Sequence, residues 1–219
     1  MTKRQLLILC GLFLLIAIGG GAWLYFENRP ETATPAAVAA EVITGDEWFT
    51  MGNPKAKVTL IEYGALTCPH CALWNEEVFP LLKKNYIDKG KVFYVFRLYA
   101  RGEPDGLAEK MARCVPRAKY FTMVDAIFSA QQKWDYEFGV QDGRAQLVKL
   151  GEQMGLKTDQ INKCMDSPAD NDRINASGQE AISRYGLTGT PTFVINGKAL
   201  ESGGIAYEDL AKKLDQAAH

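Results

Sequence analysis

The sequence predicts an α/β domain in which a β-α-β unit and a β-hairpin followed by a helix are separated by a long run of helices. Three observations carry that expectation. Residues 58–63 and 92–96 are rich in β-branched and aromatic side chains and apolar at nearly every position, as central strands covered on both faces are. Between them Trp74, Val78, Leu81 and Leu82 recur at i, i+4, i+7 and i+8, which is one face of a helix. Near the carboxyl end, Asn196-Gly197 separates two further β-type runs, 192–195 and 198–201, and this dipeptide suits the two-residue turns that match strand twist.

Taken in order, the chain opens with Lys3 and Arg4 before an uncharged, mostly apolar run over residues 6–26, which Glu27, Asn28, Arg29 and Pro30 close. This is an export signal. The full run is long enough to anchor the chain in a bilayer, whereas residues 6–18 followed by Gly19, Gly20, Gly21 and Ala22 have the form of a cleavable signal. Either way Lys3 and Arg4 stay on the cytoplasmic side and everything after Phe26 is exported. Cys10 follows Leu9 inside the run and reads as one of its small apolar residues. We therefore take 1–30 as signal or anchor and 31–45 as a linker, since its Ala, Thr and Pro show no periodicity. The folded domain begins near Asp46. With 25 basic and 26 acidic residues the 219-residue chain has no excess of positive charge to hold nucleic acid or anionic lipid.

Within the domain, Pro80 lacks the amide that would bond to the carbonyl of Glu76, so a kink is expected there. On the last helix Tyr207, Leu210, Ala211 and Leu214 form one stripe. From Pro104 to Gly186 the apolar spacing is helical throughout: Leu107, Met111, Cys114 and Val115, then Phe121, Val124, Ile127 and Phe128, and finally Ile174, Gly178, Ile182 and Tyr185. The order β-α-β and then β-hairpin-α is the thioredoxin arrangement. Residues 46–103 and 187–219 would form the thioredoxin-like domain, and 104–186 an all-helical insertion.

The chemistry is concentrated in Cys68-Pro69-His70-Cys71, which opens the helix after the first strand. Pro69 suits a first helical position, and Cys68 then meets the free amides and the positive end of the helix dipole, which favour a thiolate. Cys71, three residues on, lies one turn into the same helix, where it can close a small disulfide with Cys68 and resolve mixed disulfides. The imidazole of His70 would further favour the reduced, thiolate form. A zinc site would need more ligands, yet the one other His is His219 and there is no second C-x-x-C. No metal and no cofactor is expected, because the electrons reside in the cysteine pair itself. Glu62 interrupts an apolar strand six residues before Cys68. Burial would raise its pKa and make it a proton acceptor for Cys71, unless it is merely solvated at the sheet rim. Pro191 precedes a strand, where proline is normally excluded. A cis Thr190-Pro191 bond would reconcile it with that place and free the Thr190 backbone to pair with an extended substrate.

From about Asp46 to Ala217 the chain resembles the DsbA-like thiol:disulfide oxidoreductases of bacteria. The resemblance rests on CPHC at 68–71, the acidic Glu62, the helical insertion and the stretch TGTPTFVING at 188–197. It implies an exported enzyme of the periplasm that donates its Cys68-Cys71 disulfide to folding proteins through mixed disulfides, with a membrane redox partner to restore the active site. Thr190 stands where the best-known oxidases have Val and where several isomerase and reductase relatives have Thr. Both directions of electron flow therefore remain open, and a copper(I) metallochaperone using the two thiolates and His70 is a further alternative. Some relatives also carry a second, structural disulfide. Cys114 and Cys164 would form it here in an oxidising compartment, the alternative being two buried free thiols. Closing so long a loop would stabilise the fold by roughly 3 to 4 kcal/mol on the chain-entropy model. Trp134, Tyr136 and Phe138 read as insertion core or groove wall.

Overall fold

The computed structural model describes residues 48–219. The expected signal or anchor and the whole of the linker lie outside the described residues. Among the described residues no helix is long and apolar enough to cross a membrane.

A five-stranded sheet has the order β1-β3-β2-β4-β5, formed by β1 (Phe49–Gly52), β2 (Val58–Gly64), β3 (Val92–Leu98), β4 (Thr192–Ile195) and β5 (Lys198–Ala199). β2 and β3 run parallel, with Glu62 opposite Phe96, while β1–β3, β2–β4 and β4–β5 are antiparallel. Every residue of β2 and β3 is buried, which explains why their sequences do not alternate. β1 was not expected: its four residues are a half-buried edge, too short to carry a period. The second hairpin strand ends at Ala199, two residues earlier than its apolar run suggests. Asn196 and Gly197 take the positive φ values of 48° and 82° that this turn demands. The Asn196 side chain also accepts a hydrogen bond from the Thr59 amide at 2.8 Å, tying the turn to β2.

Between β2 and β3 the chain forms α1 (Pro69–Glu77) and α2 (Phe79–Leu82), then a π-helical turn from Lys83 to Ile87. The break at Val78 is where the missing amide of Pro80 leaves the ladder unsupported. Leu81, expected on the buried stripe, is 41% exposed because the break rotates the following turn. The insertion consists of α3 (Glu103–Ala112), α4 (Tyr120–Ser129), α5 (Gln131–Trp134), α6 (Gly143–Gln153), α7 (Thr158–Met165) and α8 (Asn171–Tyr185), with short 3-10 turns between. α9 (Tyr207–Ala217) closes the chain.

Two apolar layers cover the sheet. One face of β2 and β3, with Val58, Leu60, Tyr94 and Phe96, packs with α1, α9 and most of the insertion. The other, with Ile61, Tyr63, Phe93 and Val95, packs with Ala181 of α8 and with Leu187. α8 faces the core through Ile174, Ser177 and Ala181. Ile182, expected on that stripe, is 56% exposed, because the small residues Ser177 and Ala181 let the helix lie closer on a neighbouring face. Cys114 and Cys164 are disulfide-bonded, joining the segment after α3 to α7 across fifty residues.

Candidate active site

β2 delivers its last residues to the foot of α1. Period-two alternation puts Glu62 on the same face as Val58 and Leu60, beneath α1. The chain then turns through Ala65, Leu66 and Thr67 to Cys68, which caps α1 with Pro69 at the first helical position. At Gly64 a side chain would press on the Phe96 ring at 2.8 Å and on Glu62 Oε1 at 3.1 Å, so glycine there preserves the carboxyl's position.

Cys68 and Cys71 are reduced. Cys68 is 4% exposed and Cys71 not at all, so only Cys68 presents a window to a partner. The Cys68 thiol donates to the Thr190 carbonyl at 3.4 Å, and the Thr190-Pro191 bond is cis. Behind this loop Thr192 donates to the Gly189 carbonyl at 2.7 Å, and the Gly203 amide donates to the Pro191 carbonyl at 2.8 Å. The structure thus brings Cys68, Cys71, Glu62, Thr190 and Pro191 together.

The two thiols are driven apart in acidity. A hydrogen bond from the Cys71 thiol, with further help from the Thr190 side chain and the backbone amides of Cys71 and His70, outweighs burial and lowers the Cys68 pKa to about 5. Burial, the hydrogen bond to Cys68 and repulsion by Cys68 and Glu62 raise the Cys71 pKa well above 9. His70 takes part through its backbone amide, and its side chain is exposed. Glu62, 2% exposed, is pushed up to about 8 by burial, although the Tyr94 hydroxyl donates to its Oε2 at 2.6 Å. A rim position for Glu62 is thereby excluded. When Cys68 is tied up in a mixed disulfide its charge disappears, so both Cys71 and Glu62 become more acidic.

Three side chains that sequence reasoning did not single out hold the turn in front of Cys68, all near or within the insertion. The buried Gln131 amide donates to the Leu66 carbonyl at 2.8 Å. Asp105, fully buried, accepts from the Thr67 amide at 2.7 Å, the Thr67 hydroxyl at 3.0 Å and the Arg101 amide at 2.8 Å. Arg101 donates to the Thr67 carbonyl at 3.2 Å. In sequence Asp105 reads as an ordinary acidic residue of a helix's first turn, and only its burial distinguishes it. Tyr94, the partner of Glu62, was likewise hidden among the aromatics of β3. Among the described residues no group of three or more His, Cys, Asp or Glu is placed to hold a metal ion.

Residues 44–216 match the family model described as Thioredoxin. A putative protein-disulfide oxidoreductase of Rickettsia typhi is 30% identical over 192 residues, covering 87% of this chain and 68% of its own length. Its counterpart in Rickettsia felis is also 30% identical, and the chain spans 66% of that protein. The crystal structure of Wolbachia pipientis alpha-DsbA1 superposes with a TM-score of 0.72 at 28% identity, covering 82% of this chain and 95% of that one. The chain is a DsbA-like thiol:disulfide oxidoreductase of the thioredoxin family. Its helical run between β3 and β4 is the insertion of DsbA-like folds.

This DsbA-like site has two measurable consequences. In the reduced chain Cys68 is expected to be the thiol that iodoacetamide labels at mildly acidic pH, half-maximally near pH 5, as mass mapping of the adduct would show. Preferential labelling of Cys71 would contradict the assignment. The second consequence is a pH-dependent stability. Because the folded pKa of Cys68 lies below its ordinary value of 9.0, the contribution is complete above pH 9 and is lost as pH falls through 5. Relative to the oxidised chain, the reduced chain should gain roughly 2 kcal/mol of unfolding free energy between pH 5 and pH 7 in urea titrations. Glu62 has the opposite sign, losing stability as pH rises through about 8, and is present in both forms.

Proposed function

We propose that the chain is an exported, periplasmic oxidase that donates the Cys68–Cys71 disulfide to reduced, folding proteins. In the forward reaction a substrate thiolate attacks Cys68 Sγ, the Cys68–Cys71 bond breaks, and Cys71 leaves with its electron pair and is protonated. A second substrate thiolate then attacks the substrate sulfur of the mixed disulfide and expels Cys68 as a thiolate. The substrate is oxidised by two electrons and the enzyme reduced by two.

The observation that carries this direction is the separation between a Cys68 thiol near 5 and a Cys71 thiol above 9. A stabilised Cys68 thiolate makes the reduced form the favoured product and Cys68 the better leaving group. Further support comes from a groove of about 590 Å³ beginning at Pro69 and lined by the half-exposed Leu73 and Phe138, which suits the apolar segments of unfolded chains. Phe138 is thus groove wall, whereas Trp134 is buried core. Residues 6–26 place the enzyme outside the cytoplasm, anchored or released, and a membrane redox partner would restore the disulfide. The test is oxidative refolding: oxidised enzyme mixed with a reduced, unfolded disulfide protein should form native disulfides stoichiometrically and lose its own. Failure to oxidise the substrate, with efficient reduction of substrate disulfides by the reduced chain, would assign the isomerase or reductase direction instead.

A further inference from the structure

We propose that Arg101 is a positioning residue for Cys68: the insertion side of the site holds its guanidinium against the turn that carries the reactive sulfur, and Glu137 sets how much of that positive charge the sulfur feels. This deepens the oxidase reading and rests on it. Arg101 lies in the segment joining β3 to α3, and its position is fixed twice. Its backbone amide is bound by Asp105 at 2.8 Å, and its Nη1 donates to the carbonyl of Thr67, one peptide unit before Cys68. Its Nη2 pairs with Glu137 Oε1 at 2.7 Å. Glu137 is itself held by the insertion, since its amide donates to Oδ1 of the buried Asp135 at 3.1 Å.

The titratable side chains that interact with Cys68 are Glu62 from β2, Cys71 from α1 and Arg101 from the β3–α3 connection, while His70 contributes its backbone amide. Thr190, from the opposite loop, is uncharged. Behind Arg101 stand Asp105, Asp135 and Glu137. Burial disfavours the Arg101 charge, and attraction to Glu137, Cys68 and Asp105 more than offsets that cost. The attraction between Arg101 and Cys68 is mutual: a cation that the thiolate stabilises also stabilises the thiolate. Glu137 competes for it. With both side chains about one-third exposed, solvent moderates the pairing, so removing Glu137 should release charge toward Cys68 without unfolding the loop.

The experiment is the pH profile of iodoacetamide alkylation of Cys68 in the reduced full chain, with unfolding in urea as a check on folding. Arg101→Met should raise the pH midpoint by roughly 0.5 to 1, the lower end of what a neighbouring charge does. Glu137→Gln should lower the midpoint, and Arg101→Lys should keep it near wild type. Opposite directions distinguish this from a structural role, because a loosened turn would weaken the hydrogen bonds to Cys68 in both variants and move both upward. An unchanged or raised midpoint in Glu137→Gln, or an unchanged midpoint in folded Arg101→Met, would overturn the proposal. Were Arg101→Met not to fold, the Glu137→Gln midpoint decides alone. The titration uses no substrate, so a chain that titrates as expected yet fails to oxidise unfolded protein would refute the oxidase direction and leave the role of Arg101 intact.

Discussion

Replacing Cys71 by Ser is expected to abolish disulfide turnover completely while leaving Cys68 able to react. The reason is the division of labour in the site. Cys68 carries the acidic thiol and the window to solvent, whereas Cys71 is fully buried with a thiol that burial keeps protonated. Without Cys71 no internal disulfide exists to donate, and a mixed disulfide formed at Cys68 loses the enzyme's resolving thiol, so a substrate without a second free thiol in reach stays attached. Covalent complexes with exported proteins should accumulate and appear on non-reducing gels as bands that disappear with reductant. Retained turnover, or the absence of any trapped complex, would contradict the assignment of the two cysteines.

The second large effect is expected at Asp105, which no chemical step uses. Asp105→Ala would remove one carboxyl that accepts from two amides and a hydroxyl in a fully buried place. The Thr67 amide and hydroxyl are buried with it, and losing a buried acceptor leaves both unsatisfied. The expected loss is about 3 to 5 kcal/mol of unfolding free energy, read from urea or thermal unfolding. Asp105→Asn keeps one acceptor oxygen and should lose less. A loss below about 1 kcal/mol in Asp105→Ala would mean that the turn before Cys68 is held by Gln131 and Arg101 alone.

Much of this architecture is legible in the residues because it is written locally. The mostly apolar runs of β2 and β3, the Asn196-Gly197 turn and the Pro69 start of α1 each have one cheap local conformation, and the structure adopts it. Glu62 stood out because a carboxyl in such a run is costly, and its burial bears out that reasoning. What escaped depends on tertiary neighbours. β1 is an edge strand of four residues that exists by pairing with β3. Asp105, Gln131 and Arg101 look like surface residues of ordinary helices and loops until the insertion folds back onto the turn at Leu66 and Thr67. Ile182 failed as a core residue for the converse reason: the stripe was drawn through the large side chain, while the contact surface of α8 is made by small ones.

The reduction potential of the Cys68–Cys71 pair, measured by equilibration with glutathione at pH 7, tests the central claim most directly. A Cys68 thiol near 5 stabilises the reduced form by about two pH decades at neutrality, which corresponds to roughly 60 mV toward the oxidising side of the same pair with ordinary thiols. We expect a potential above about −200 mV, where a disulfide is readily given up to folding proteins. A value near −270 mV, the range of general dithiol reductants, would contradict donation and show that the acidity of Cys68 does not govern the direction of electron flow.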